Sequence, residues 1–172
     1  MAKIILVGYM GSGKTTIGKM LSEYVGIPFY DLDEIIAEKE NASINFIFET
    51  KGEIYFRKVE HQLLQAFHQQ NDSYILALGG GTPCYANNHL LLQDETVHSF
   101  YLRGSIATLV ARLQNEKELR PLVANIANEE LPEFIAKHLF DRNYYYQQAK
   151  HTIAIDAKSV EEIVEEIRTQ LA

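Results

Sequence analysis

The stretch "GYMGSGKTT", Gly8 to Thr16, follows directly on the apolar run "IILV" and constrains the fold of this chain more than any other feature. Its spacing, Gly8-x-x-x-x-Gly13-Lys14-Thr15, is that of a loop whose backbone N–H groups wrap a di- or triphosphate. Glycine permits left-handed backbone and leaves no Cβ between chain and ligand. Lys14 is placed to reach the β- and γ-phosphates, and the Thr15 hydroxyl to meet Mg²⁺. The helix beginning near Lys14 aims its N-terminal dipole at the same charge. Gly11, Ser12 and Thr16 complete the expected nucleotide-contacting set. With glycine near ~7% of residues, an accidental match at four fixed positions is expected in well under ~1% of chains this long. The loop therefore predicts a nucleoside triphosphate ligand and a strand before a helix.

The rest of the chain repeats that alternation. Strands are predicted at "KIILVG", "IPFYDLD", "SYILALGGG", "VHSFYL" and "HTIAID". Helices are predicted at "KTTIGKMLSEYVG", "LDEIIAEKE", "SINFIFETKG" with Ser43 as cap, "GEIYFRKVEHQLLQAFHQQ", "SIATLVARLQ", "LPEFIAKHLFDRNYYYQQA" and "SVEEIVEEIRTQLA", the last opening on a capping box. "NEKELRPLVANIANEE" has no clear period and reads as a mobile polar segment. Strands alternating with helices give a three-layer α/β/α fold with a five-stranded parallel sheet that carries the phosphate loop. No linker-like run divides the 172 residues, so one domain is expected. Within it the phosphate loop takes 8–15.

Composition removes several classes of function. A formal net charge of −7 disfavours sequence-independent nucleic-acid binding, which needs a basic footprint. No apolar stretch approaches the ~20 residues of a membrane span. "MAKIILVG" begins a strand at once and leaves no room for a signal peptide. A lone cysteine, Cys84, permits no internal disulfide, which points to a reducing cytoplasm.

Ligands of parallel sheets bind at the carboxyl ends of the strands. Strand one ends in the phosphate loop, strand two in Asp31 and Asp33, and strand three in Gly79-Gly80-Gly81. In extended chain Asp31 and Asp33 share a face, so one can serve Mg²⁺ and the other an acceptor hydroxyl; the alternative is a helix cap. Three consecutive glycines at the end of a buried strand make sense where backbone approaches a ligand closely. By spacing alone Arg57 (with Glu60 one turn on), Arg120 and Arg142 read as solvated residues. His61 and His68, two turns apart, suit a solvated face, and Tyr144-Tyr145-Tyr146 suits packing at a helix end. Cys84 reads as a packing residue.

Taken in order, "GYMGSGKTT", "YDLDEII", "IFETKGEIYFRKVE", "ILALGGG", "RPL" and "RNYYY" resemble the shikimate kinase family over essentially the whole chain. The resemblance implies transfer of the γ-phosphoryl group of MgATP to the 3-hydroxyl of shikimate. It also implies a P-loop, nucleoside-monophosphate-kinase-like fold, substrate-binding helices about 32–70, a lid about 115–129, and roles for individual residues. Arg57 and Arg142 would grip the shikimate carboxylate, Asp33 would bind the hydroxyls or act as base, and Gly79, Gly80 and Gly81 would line the pocket with Phe48 and Phe56. Lys14 and Arg120 would stabilise the transferring phosphoryl group, with Arg120 in the lid. Asp31 would order Mg²⁺ through water beside Thr15. Arg112 would stack on adenine, and Asp156 would open the adenine-binding loop. A monomer is expected, with ATP, Mg²⁺ and shikimate as its only ligands. Two alternatives stand beside this reading: another small-molecule kinase, for gluconate or a nucleoside monophosphate, and a non-catalytic nucleotide-dependent sensor.

Overall fold

The first strand decides the architecture. In β1 (Lys3–Val7) Ile4, Ile5, Leu6 and Val7 are all fully buried, which an extended chain achieves only when both faces of its sheet are covered. They are covered in the computed structural model, which describes residues 1–172. Ile4 and Leu6 enter one apolar cluster with Ile17 and Leu21 of α1 (Lys14–Val25) and Ile163 and Ile167 of α7 (Val160–Leu171). Ile5 and Val7 enter the opposite cluster. Its helical members come from α2 (Leu32–Glu40), α3 (Ile44–Gln70), α4 (Ile106–Gln114) and α6 (Leu131–Tyr146).

The remaining strands are β2 (Phe29–Asp31), β3 (Tyr74–Ala77), β4 (Val97–Arg103) and β5 (His151–Ala154). All pairs are parallel and the order is β2-β3-β1-β4-β5, the expected five-stranded α/β/α sandwich. β1 is central, and the chain fills the sheet first to one side of it and then to the other. The crevice at such a switch point lies beyond the carboxyl end of β1, where the phosphate loop begins. Close packing of α1 on the sheet edge explains Gly18 in mid-helix: a Cβ there would lie 2.3 Å from the Phe29 ring.

Most long helices start on a side-chain cap. Asp31 accepts from the backbone N–H groups of Asp33 and Glu34, Ser43 from Phe46, and Ser105 from Thr108; Ser159 and Glu162 form the expected capping box. α1 differs. It begins on Gly13, left-handed at φ 93°, with no side-chain cap and no acid in its first turn. Its first N–H groups are open to a ligand.

Several local expectations change. β2 stops at Asp31, and Asp33 lies in the first turn of α2 rather than on an extended strand. An aspartate that accepts helix N–H groups competes with strand continuation, so the shared-face argument for the two acids fails. Instead, Asp31 is the cap and Asp33 sits one half-turn above it. α3 is broken at Gly52 (φ 84°, ψ 170°), matching the two predicted helices on either side. The segment taken as an irregular lid contains a 3-10 turn, Lys117–Leu119, and a short α5 (Pro121–Ala124), pinned by the fully buried Val123. His61 and His68 do not form a solvated face. His61 Nδ1 lies 2.6 Å from Asn88 Oδ1, and His68 Nδ1 lies 2.9 Å from the Tyr74 hydroxyl. Their buried partners sit on neighbouring elements that helical spacing cannot reveal.

Candidate active site

The carboxyl ends of β1, β2 and β3 open into one cleft of about 1050 Å³. Gly11, Gly13, Lys14, Thr15 and Thr16 form its phosphate-loop wall. Ser12 is fully buried behind them, and its Oγ has no hydrogen-bond partner. A buried hydroxyl left unpaired is costly unless a ligand completes it. Lys14 Nζ folds over the loop and donates to the carbonyls of Gly8 (2.6 Å) and Tyr9 (3.1 Å). Burial, and after it the charge of Arg120, lowers the Lys14 pKa to about 8. An anion in the loop would reverse that penalty. Thr15 Oγ1 lies 3.4 Å from Asp31 Oδ2 at the mouth of the loop.

Asp33 faces the same cleft from α2. Burial raises its pKa to about 6, with the negative charges of Asp31 and Glu60 adding to the shift and Lys14 and Arg57 opposing it. Its carboxylate is thus coupled to the phosphate loop on one side and to the arginine wall on the other.

Each glycine of Gly79–Gly81 makes room for a different polar side chain. A Cβ on Gly79 would lie 3.1 Å from Thr82 Oγ1 and 3.2 Å from Asp33 Oδ1, on Gly80 3.1 Å from Arg142 Nη1, and on Gly81 2.7 Å from Arg57 Nη2. The triplet therefore serves the packing of site residues as well as close ligand approach. Tyr146, fully buried at the end of α6, fixes the loop by donating its hydroxyl to Gly80 O at 2.6 Å.

Arg57 is not a solvated surface residue. Its Nη1 donates to Glu60 Oε1 at 2.9 Å, and Glu60 is 1% exposed. The other carboxylate oxygen of Glu60 accepts from Thr82 Oγ1 at 2.7 Å. Glu60 was not anticipated as a site residue, although one signal was present: Phe56, Glu60 and Leu64 fall four apart, all buried on one face of α3. Phe48 and Phe56 pack with ring centroids 4.5 Å apart and line the cleft beside Arg57. Arg142 also lines it, with its guanidinium 5.7 Å from the Tyr9 ring centroid.

Arg120 enters from between the 3-10 turn and α5, 3.5 Å from Glu116 Oε2, and Arg112 reaches the phosphate loop by donating Nη1 to Gly11 O at 3.1 Å. Besides the buried Ser12, Asp156 is the expected contact residue whose side chain does not line the cleft. Its Oδ1 accepts from Ser105 N at 3.0 Å and from the Thr108 hydroxyl, which places a carboxylate at the positive N-terminal end of the Ser105-capped α4. Lys158, Val160 and Ile163 line that end of the cleft instead.

A family model described as shikimate kinase matches residues 10–172. The shikimate kinase of Flavobacterium psychrophilum is 59% identical over 167 residues, covering 97% of each chain. Among solved structures, the shikimate kinase of Bacteroides thetaiotaomicron superposes with a TM-score of 0.90 at 30% identity, over 99% of this chain and 98% of that one. The Acinetobacter baumannii enzyme, solved in complex with shikimate, gives a TM-score of 0.87 at 31% identity, over 99% and 93%. With a phosphate loop, an arginine wall and a carboxylate between them, the chain belongs to the shikimate kinase family of ATP-dependent small-molecule kinases.

Proposed function

We propose that the cleft carries out the family's reaction with MgATP on the phosphate loop and shikimate against α3 and Gly79–Gly81, giving shikimate 3-phosphate and ADP. One observation supports this reading above the rest. The uncapped start of α1 and a two-arginine anion site share one cleft, and Asp33 is electrostatically coupled to both.

In this reading the loop N–H groups, Ser12 and Lys14 hold the phosphates, and Arg112 lies along the nucleotide. Arg57 and Arg142 take the shikimate carboxylate, for which planar guanidinium groups provide paired donors. Phe48 and Phe56 wall the ring. Asp33 orients the 3-hydroxyl and accepts its proton as transfer proceeds. The lid, about 115–129, brings Arg120 onto the transferring phosphoryl group and excludes water. Exposed Leu119 and Leu122 line the cleft on either side of Arg120, where closure would bury them.

The residues present fit Mg²⁺. This ion prefers oxygen ligands, retains several waters and uses few protein groups besides phosphate. Thr15 Oγ1 and Asp31, 3.4 Å apart at the loop mouth, supply one direct oxygen and one carboxylate suited to contact through water. When bound, Mg²⁺ neutralises phosphate charge. Because Asp31 also caps α2, its orientation is fixed by the backbone.

One chain supplies every group named, so the reading requires no partner subunit, and we place the protein in the cytoplasm as a monomer. No helix is long and apolar enough to cross a membrane. The test is ADP release with shikimate, quinate, gluconate and nucleoside monophosphates side by side. Shikimate is expected to be preferred strongly, with turnover lost on chelation and restored by Mg²⁺. Preference for another acceptor would overturn the substrate assignment, and turnover that survives chelation would overturn the metal assignment.

A further inference from the structure

Glu60 does not by itself fix the orientation of Arg57. It engages one guanidinium nitrogen, Nη1. Nε is buried without a hydrogen bond, and the nearest carboxylate, Glu53 Oε1, is 3.8 Å away. A guanidinium held at one corner can still rotate out of the plane that a carboxylate needs for two parallel hydrogen bonds.

A ring restrains that rotation. Arg57 Cζ lies 4.0 Å from the ring centroid of Tyr85, closer than the 5.2 Å to Phe56. Tyr85 follows the 3-10 turn Thr82–Cys84 and is not part of the cleft wall. The backbone beyond it is a two-residue turn with both central residues left-handed, Ala86 at φ 52° and Asn87 at φ 56°. Asn88 N closes the turn on Tyr85 O at 3.0 Å. Left-handed alanine is unfavourable and persists only where its surroundings impose it.

Fully buried Asn88 is one source of that constraint. Its Nδ2 donates to Thr82 O at 3.1 Å, and its Oδ1 faces His61 Nδ1 at 2.6 Å. Thr82 in turn donates its hydroxyl to Glu60. One short segment, residues 82–88, thus holds Glu60 at one end and presents Tyr85 to Arg57 at the other.

We infer that Tyr85 is a positioning residue for substrate-carboxylate recognition: its ring fixes the plane of the Arg57 guanidinium so that the edge left free by Glu60 meets the carboxylate squarely. Tyr85 acts through Arg57 and does not touch substrate. The inference rests on the assignment of Arg57 to the carboxylate.

The experiment compares Tyr85→Ala, Tyr85→Phe and Arg57→Ala in steady-state assays with shikimate and with its neutral methyl ester, alongside melting temperatures. Tyr85→Ala is expected to raise the KM for shikimate about threefold to tenfold, the range of a stacked cation. Its kcat and its KM for ATP should stay within about twofold, and Tyr85→Phe should behave as the parent. With the ester, which carries no carboxylate charge, Tyr85→Ala and the parent should not differ. A structural defect would instead affect ester and acid alike and lower the melting temperature. Tyr85→Phe as damaging as Tyr85→Ala would overturn the stacking role in favour of the hydroxyl. Unchanged KM in Tyr85→Ala, with KM raised in Arg57→Ala, would refute Tyr85 alone. Unchanged KM in Arg57→Ala would remove the assignment on which the inference stands.

Discussion

Asp33→Asn is expected to lower kcat by about 10²-fold or more, within the range for a general base, while the protein stays folded. The substitution preserves size and removes both charge and basicity. ATP affinity should change little, because Lys14, Thr15 and the loop backbone remain. Two further measurements separate a catalytic role from a structural one. The parent's kcat/KM should fall as pH drops through about 6, where the Asp33 carboxylate takes up its proton, and the variant should lack that limb. Stability should move the opposite way from activity. A carboxyl whose pKa is raised by folding binds its proton more tightly in the folded state, so the folded protein loses stability as pH rises from about 4 to about 6. Above that range the penalty is complete. Asparagine avoids it, and the variant should gain about 1–3 kcal/mol at neutral pH. Because Asp31 and not Asp33 caps α2, no cap is lost. Normal turnover with an early melt would show that Asp33 is structural.

Removing the Arg57 guanidinium should have two separable consequences. Arg57→Ala deletes a charge-assisted contact to shikimate, worth about 1.5–3 kcal/mol, so KM should rise roughly tenfold to a hundredfold. It also strands Glu60, a carboxylate with 1% exposure whose only cationic neighbour within 4 Å is Arg57. An uncompensated buried charge costs about 3–5 kcal/mol, which for a domain of this size is a melting-temperature drop of roughly 10 °C. Glu60→Gln in the Arg57→Ala background should recover much of the stability and none of the affinity. Arg57→Lys should keep most of the stability and lose affinity, since an ammonium cannot reproduce the planar fork. An Arg57→Ala variant that melts like the parent would refute the claim that the buried Glu60 depends on Arg57 for its compensation.

The elements legible in the sequence were those with a long or repeated signal. β1 followed by the phosphate loop, the capping box of α7 and the break at Gly52 all follow from residue pattern, and the parallel sheet follows from their alternation. The site was less legible wherever one residue changes its local role. β2 is three residues long, too short to show a period, so the predicted strand ran on through Asp33 although the helix was also predicted from Leu32, and the shared-face reading took Asp33 with the strand. Asp156 was assigned by likeness to the nucleotide site, but its carboxylate is taken by Ser105 and Thr108, a pairing 48 to 51 residues distant in sequence. Glu60 and Tyr85 were missed for a related reason: both act by contact with Arg57, and only folding brings Tyr85 there.

The three glycines after β3 also make the effects of mutations interdependent. Since each accommodates a different side chain, the effect of adding a methyl group depends on whether that partner is present. Gly81→Ala should raise the KM for shikimate in the parent, where the new carbon would lie 2.7 Å from Arg57 Nη2 and displace the guanidinium, and change it little further in an Arg57→Ala background. Combined with Arg142→Ala, the same change should still displace Arg57, because Arg142 rests on Gly80 and its removal opens no space at Gly81. An alanine scan of the triplet interpreted without its partners would assign to the backbone an intolerance that belongs to three separate pairs.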